Sequence, residues 1–413
     1  MKKRFSGHFP PSKSDIKHLW ESCLFTVDAN ILLNLYRYSD STRKEVLQVF
    51  KAIKDRLWLP HHAAQEYFNN RLAVISQQEK AYEEAIKTIQ TLQSDLSNVK
   101  QHPFISDKLM KKLSAVIEEV VGELGANKSV HTKRTQADEI QEAIGNLFNG
   151  RVGVPYSEED LEKICKKGED RYTRKVPPGY KDDGKDDTSS ILSKYRKYGD
   201  LIIWRQIIDK ANEAKKGIIF VNDDKKDDWY LIFRGKSLGP RPELIIEFLN
   251  KCSQSFYMYQ ADRFLEFTAD YLKQEITPAS VDEIRDLRRQ DLARREHLMK
   301  FRQEEAMLRA RARHTEVRIS KFQKRIAYLQ EKLEFLQQKQ AVIKERLSTS
   351  KDNDSGKLEQ IPVYMRELEQ AQMEYHQVRL EYEDIQKDYA MHQNMLSELE
   401  FRLDEHGWGR ENQ

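Results

Sequence analysis

Four short stretches of this chain set acids where alternating strands and helices could bring them together. Asp28 ends the apolar run Leu24-Phe25-Thr26-Val27, and Asp223 and Asp224 follow Gly217-Ile218-Ile219-Phe220-Val221-Asn222. Glu66 lies in the first turns of the helical pattern HHAAQEYFNNRL, just after Leu57-Trp58-Leu59-Pro60, and Asp200 opens the apolar helical stretch YGDLIIW. An acid at the carboxyl tip of a buried strand faces the crevice in which open α/β sheets bind ligands. Carboxylates gathered there unpaired raise one another's pKa, and a hard divalent cation such as Mg²⁺ or Mn²⁺ removes that conflict. A site of this kind can lower the pKa of a bound water and hold a scissile phosphate, with two ions spaced about 3.5–4 Å apart. Plain structural roles compete: Asp28 or Asn30 as a helix N-cap, Glu66 as a carboxylate favoured near a helix N-terminus.

For the acids to converge, the apolar runs must form a parallel, doubly wound sheet with helices on its faces. Ser41 to Lys54 reads as a helix with Val46, Leu47, Phe50 and Ile53 on one face. From Ala73 to about Gly150 the pattern is helical and very polar, an insertion with the apolar stripe Leu109, Leu113, Val116, Ile117, Val120, Val121 and Leu124. Residues 151–187, ending in PPGYKDDGKDD, read as a long loop. Pro240 to Asn250 reads as a helix, Phe256 to Tyr259 as the last strand, and Ala261 to about Gln274 as the closing helix. The first domain is therefore expected over 1–277, and Thr277-Pro278 is its boundary.

Residues 278–413 have another character. No proline or glycine occurs from Val281 to about Leu347, and Phe322, Ile326, Leu329, Leu333, Leu336, Ile343 and Leu347 fall on alternating steps of four and three, with Gln340 filling one slot. A second seam runs through Tyr364, Leu368, Ala371, Tyr375, Val378, Tyr382, Ile385, Tyr389, His392, Leu396, Leu399 and Leu403. Two such seams joined by the polar STSKDNDSG predict a long antiparallel coiled-coil hairpin, which could fold within one chain, form a homo-oligomer or dock a protein partner.

Composition agrees with a compact domain carrying solvated helices: of 413 residues, 39% are hydrophobic and 33% charged. The net charge of +3 does not mark the whole chain as a nucleic-acid binder, so only local clusters can argue for one. Cys23, Cys165 and Cys252 are far apart and match no zinc spacing, as expected of thiols in a reducing cytoplasm. MKKR is followed by no apolar h-region, and no stretch approaches the length of a membrane span, so neither a signal peptide nor a membrane is expected.

VDANILLNLY, Glu66 opening the helix after a short strand, YGDLIIW and FVNDDKKDDW, in that order, resemble the PIN-like nuclease superfamily, and most of all its larger bacterial branch. The resemblance covers about residues 5–265 apart from the insertion. It implies an α/β PIN-like fold in which Asp28, Glu66, Asp200 and Asp224, with Asp223 beside the last, hold Mg²⁺ or Mn²⁺ for phosphodiester hydrolysis leaving 5′-phosphate and 3′-hydroxyl ends. It implies RNA somewhat before DNA as substrate, and a bacterial toxin or anti-phage defence effector as the setting. Two positions depart from the family pattern: Ala29 stands where Thr is frequent after the first acid, and Asn222 where Thr or Ser is frequent before the fourth. Each removes a hydroxyl and neither removes a carboxylate.

Asp182 and Lys185 from the long loop, and Lys225 after the acids, are further candidates for the site. Arg288, Arg295, Arg302 and Arg309 belong to the arginine-rich stretch 285–325, where a basic helical face could track a phosphate backbone. The bland reading there is a solvated face with i,i+4 pairs such as Glu305–Arg309. The other class of function is a scaffold or interaction protein in which the coiled coil works and the α/β domain is an inactive platform; the complete acidic set speaks against it.

Overall fold

The structure, a computed structural model, describes residues 1, 5–98, 105–182, 193–224, 226–352 and 360–411. It divides into two compact units, Met1–Leu292 and Ala293–Gln413.

The first unit contains the strands β1 (Leu24–Val27), β2 (Leu57–Trp58), β3 (Ile218–Val221), β4 (Tyr230–Phe233), β5 (Lys236–Pro240) and β6 (Phe256–Tyr259). Four of them form a parallel sheet in the order β2-β1-β3-β6, while β4 and β5 pair as a separate antiparallel hairpin. Side chains of β1 and β3 are buried on both faces, as expected of strands covered by helices above and below. The chain leaves β1 toward β2 on one side and returns to β3 on the other, so strand order reverses between β1 and β3. That reversal opens the ligand crevice of such sheets. Val27 pairs with Val221, so Asp28 and the Asn222-Asp223-Asp224 turn emerge side by side.

Helices α1 (Lys13–Ser22), α2 (Ala29–Asn34), α3 (Asp40–Ala52), α4 (His61–Leu96), α5 (Asp107–Arg134), α6 (Glu139–Phe148), α7 (Glu158–Thr173), α8 (Gly199–Ala214), α9 (Pro242–Cys252) and α10 (Ala261–Leu272) complete this unit. The helical insertion is not a separate element at its start. The first turns of α4 bury Ala63, Ala64 and Tyr67 in the core, and the same helix runs on to Leu96 against α5. Only part of the expected stripe on α5 packs: Ile117 is buried and Leu113, Val121 and Leu124 are half-buried, whereas Leu109, Val116 and Val120 are exposed. A seam of one residue per turn is enough to dock one helix on another, and the neighbouring apolar residues stay in solvent.

Residues 158–173 depart from the expected loop and form α7, capped by Ser157, whose hydroxyl accepts from the Asp160 N–H. Leu161, Cys165, Gly168 and Tyr172 make its narrow inner face. Gly168 admits the Tyr198 ring, which would stand 2.6 Å from a Cβ there. A helix this polar carries little periodic signal; its markers were the cap and the acids Glu158, Glu159 and Asp160 in the first turn.

Arg171 on α7 ties this region down. Its guanidinium grips Glu247 of α9 through two bonds of 2.8 and 2.9 Å, and also donates to the Pro177 carbonyl. Trp204 Nε1 donates to the same carboxylate at 3.0 Å. Burial alone would push the Glu247 carboxyl up, but Arg171 and Trp204 outweigh it and hold it below the ordinary range. Its stabilising contribution is thus present above the ordinary glutamate pKa and is lost as pH falls through the depressed value. Glu247→Gln should cost about 3 kcal/mol near neutral pH. The gap from the parent should close on acidification; thermal melts from pH 7 to 3 check this, and a pH-independent gap would refute it.

The long helix α11 (Pro278–Asp352) starts at the expected boundary, but its first turns pack into the α/β core. Val281 and Ile284 are buried there, Glu283 accepts from Ser39 and Thr42, and Arg37 grips Asp291 at 2.6 Å. The compact unit consequently runs to Leu292.

In the second unit the remainder of α11 lies antiparallel to α12 (Ile361–Glu411). The buried seam begins earlier than the expected Phe322, at Leu308, and continues through Ala312, Thr315, Ile319, Leu329, Leu336 and Ile343. It meets Ala371, Val378, His392 and Leu399 of α12. Register is fixed by a repeating polar rung: Gln323, Gln330 and Gln337 donate to the hydroxyls of Tyr389, Tyr382 and Tyr375 at 3.2, 2.9 and 2.8 Å. Among the described residues no helix is long and apolar enough to cross a membrane.

Candidate active site

Asp28 occupies the N-cap position of α2 with extended backbone (φ −82°, ψ 161°), yet its side chain makes no capping hydrogen bond. The carboxylate instead accepts from Asn30 Nδ2 at 2.5 Å. That amide also donates to Asn222 Oδ1 at 2.9 Å, and Asn222 Oδ1 accepts the Asp224 N–H at 2.6 Å. One bonded chain thus links the acid after β1 to the acid after β3. Asn222, one of the two departures from the family pattern, is buried and orients the backbone of Asp224 in place of a hydroxyl.

Electrostatics show which acids share the crevice. The Asp28 carboxyl is pushed well above the carboxylate range by burial first, then by the charges of Glu66, Asp200 and Asp224. Glu66 is half-exposed and lies 3.5 Å from His62 Nε2. Gly199 lets the start of α8 approach this pair, since a Cβ there would stand 2.9 Å from Glu66 Oε1 and 3.2 Å from His62 Nε2. Asp200 and Asp224 are joined by the Lys226 ammonium, at 3.2 and 3.0 Å. The four acids expected from the sequence are therefore brought together, and a lysine not foreseen stands between two of them.

Asp223 is turned away from this group. Its carboxylate accepts the Ala261 N–H at the start of α10 at 2.8 Å and the Asn34 amide at 3.4 Å, with Arg288 Nη1 at 4.0 Å. Burial pushes its pKa up to about 6 against the pull of that N–H and of Arg288. Consecutive residues of extended chain point to opposite sides, so Asp224 can face the crevice only if Asp223 does not.

Asp228 was also not foreseen. It is fully buried and accepts the N–H groups of Gly179 and Lys181 at 2.9 and 3.3 Å, fastening the PPGYK turn beside α8. Gly179 (φ +93°) lies so close to Asp200 that a Cβ there would stand 3.2 Å from the Asp200 Cβ. The sequence signal was present in the second acid pair of DDKKDD. Asp182 falls in a 3₁₀ turn, Tyr180–Asp182. Its side chain, and Lys185 and Lys225 altogether, lie outside the described residues.

Arg288 leaves the expected basic face. Its guanidinium grips the buried Asp262 carboxylate from two sides, which docks α11 on α10. Arg309 pairs with Glu305 at 2.7 Å, and Arg295 and Arg302 are exposed.

Among the described residues no group of three or more His, Cys, Asp and Glu side chains stands ready as a metal shell. The donor set still suits a hard divalent cation: four carboxylates, no thiolate, and one partly buried acid among like charges that a positive partner would stabilise in its ionised form. A sequence model of the PIN-like domain family matches residues 24–244, more than half of the chain. No curated protein and no solved structure matches it.

Proposed function

The chain belongs to the PIN-like domain family, and from that premise we propose that it is a Mg²⁺- or Mn²⁺-dependent endonuclease. The observation that carries the reading is the partly buried Asp28 carboxyl in the shared field of Glu66, Asp200 and Asp224. These four would hold the cation, which when bound supplies Lewis-acid stabilisation of the phosphoryl oxygens and an acidified water. The protein's own groups prepare that arrangement. Asn30 and Asn222 fix Asp28 and Asp224 relative to each other, Asp228 holds the Gly179 turn against Asp200, and Lys226 balances the acids. RNA is the favoured substrate, and defence against phage or toxicity to the host cell the favoured setting. The helical hairpin offers a coiled-coil surface for a second copy or another protein.

The test uses end-labelled single-stranded RNA, single-stranded DNA and duplex DNA, with and without Mn²⁺, beside Asp200→Asn. Metal-dependent internal cuts lost in the variant are expected. Cutting that survives Asp200→Asn, or no cutting of any substrate, would defeat the reading. The second reading, a scaffold with a silent platform, draws support from Lys226 bridging Asp200 and Asp224. On that reading Mn²⁺ would not shift the melting temperature.

A further inference from the structure

The β4–β5 hairpin has the wrong surface for a solvated connection. Beyond its buried root at Trp229 and Tyr230 it exposes Leu231, Ile232, Phe233 and Leu238, with Phe233 and Leu238 each 60% exposed. Soluble proteins seldom leave such a cluster uncovered without a use for it. Residues 229–240 also carry Arg234 and Lys236 and no acid. Among the described residues neither cation makes an ion pair, and the Arg234 guanidinium lies 5.4 Å from the centre of the Phe233 ring.

The turn itself is informative. Phe233 pairs with Lys236, so Arg234 and Gly235 form a two-residue loop, and both have positive φ, +49° and +73°. That is the type I′ geometry, in which Asn or Gly is the ordinary first residue. An arginine there is strained by about 1 kcal/mol.

The hairpin is rooted in the acid crevice. Tyr230 donates its hydroxyl to the Asn222 carbonyl at 2.8 Å, and Asn222 in turn holds the Asp224 N–H. Asp228, one residue before the root, fastens the turn beside Asp200. Three strand steps carry the tip about 10 Å beyond Tyr230. A strand of nucleotides held in the crevice would have the hairpin within reach.

We propose that the β4–β5 hairpin is a platform for single-stranded nucleic acid, with Phe233 stacking on an unpaired base and Arg234 and Lys236 contacting the flanking phosphates. An exposed ring flanked by unpaired cations fits this ligand, because stacking tolerates any base and the cations follow the backbone. Two cations with no acid between them favour a polyanion over an uncharged apolar partner. The proposal rests on the nuclease reading for the identity of the ligand, but its test does not require catalysis.

The measurement is fluorescence anisotropy of labelled single-stranded and duplex oligonucleotides with the full chain in EDTA, over a series of salt concentrations. Phe233→Ala should weaken single-strand binding about tenfold, with little effect on duplex. The double variant Arg234→Ala/Lys236→Ala should lower the slope of log affinity on log salt by roughly 0.7 per lost contact. Phe335→Ala, at a similarly exposed ring on α11, should change neither. Melting curves of all variants verify folding. Unchanged single-strand affinity in Phe233→Ala overturns the proposal, as does equal loss for single strand and duplex, which would mean no stacking. Parent protein that binds neither form and instead self-associates through this patch overturns it in favour of a protein interface. If the binding results come out as expected and cleavage assays show nothing, the platform stands and the nuclease reading falls.

Discussion

Asp28→Asn is expected to reduce metal-dependent cleavage by on the order of 10³-fold, while raising the melting temperature of the metal-free protein. Both follow from one physical fact. The carboxyl is partly buried at the tip of β1 and feels three other carboxylates, so ionising it there is less favourable than in water. Its pKa in the folded chain is raised above its unfolded value. Below the ordinary carboxylate range both states are protonated and the group has no effect on stability. As pH rises past about 4 the unfolded chain ionises while the folded one holds its proton, and stability falls until Asp28 itself ionises. Asparagine keeps the shape and the bond with Asn30 without that loss. The variant's advantage should therefore be absent at pH 3 and open toward neutrality. Adding Mn²⁺ should raise the melting temperature of the parent and leave the variant unmoved. A variant that melts below the parent in EDTA at pH 7 would show that Asp28 is held ionised by its own surroundings, contrary to this account.

Lys226→Met should do the opposite without metal and more with it. The ammonium, 3.2 Å from Asp200 and 3.0 Å from Asp224, is the positive charge nearest the crevice that the structure shows bonded to two of its acids. All three side chains are less than a quarter exposed, so solvent screens the pair weakly. Removing the charge while keeping the stem should lower metal-free stability by about 2–3 kcal/mol. A divalent cation entering the parent must displace this ammonium; in Lys226→Met this competitor is removed. The Mn²⁺-induced rise in melting temperature should thus be larger in the variant, and cleavage should reach half-maximum at lower Mn²⁺. Equal metal-induced shifts in the two proteins would mean that Lys226 does not compete for the acids.

The acids were legible because each sits at a boundary that local pattern reveals. The apolar runs Leu24–Val27 and Ile218–Val221 read as buried strands, and an acid immediately after such a run falls at the carboxyl tip of the sheet. The stretch YGDLIIW placed Asp200 at a helix start for the same reason. Heptad spacing likewise revealed the two long helices, because packing along a seam repeats within the sequence itself. What local pattern could not carry was direction and partnership. Asp223 and Asp224 are adjacent and chemically alike; the N–H of Ala261 and the guanidinium of Arg288, both distant in sequence, draw one away from the crevice, while Lys226 and the Asn222 amide hold the other in it. Arg288 belongs by composition to a basic helical face, yet the buried Asp262 turns it inward. The polar α7 hid among loop residues because its stability comes from Tyr198, Leu201 and Glu247 rather than from its own periodicity. Sequence alone thus determined which residues could carry charge to the sheet edge and that two long helices follow the first unit. The tertiary structure decided which of those charges face each other, since opposing charges and backbone donors tens to hundreds of residues away select the orientation of each side chain.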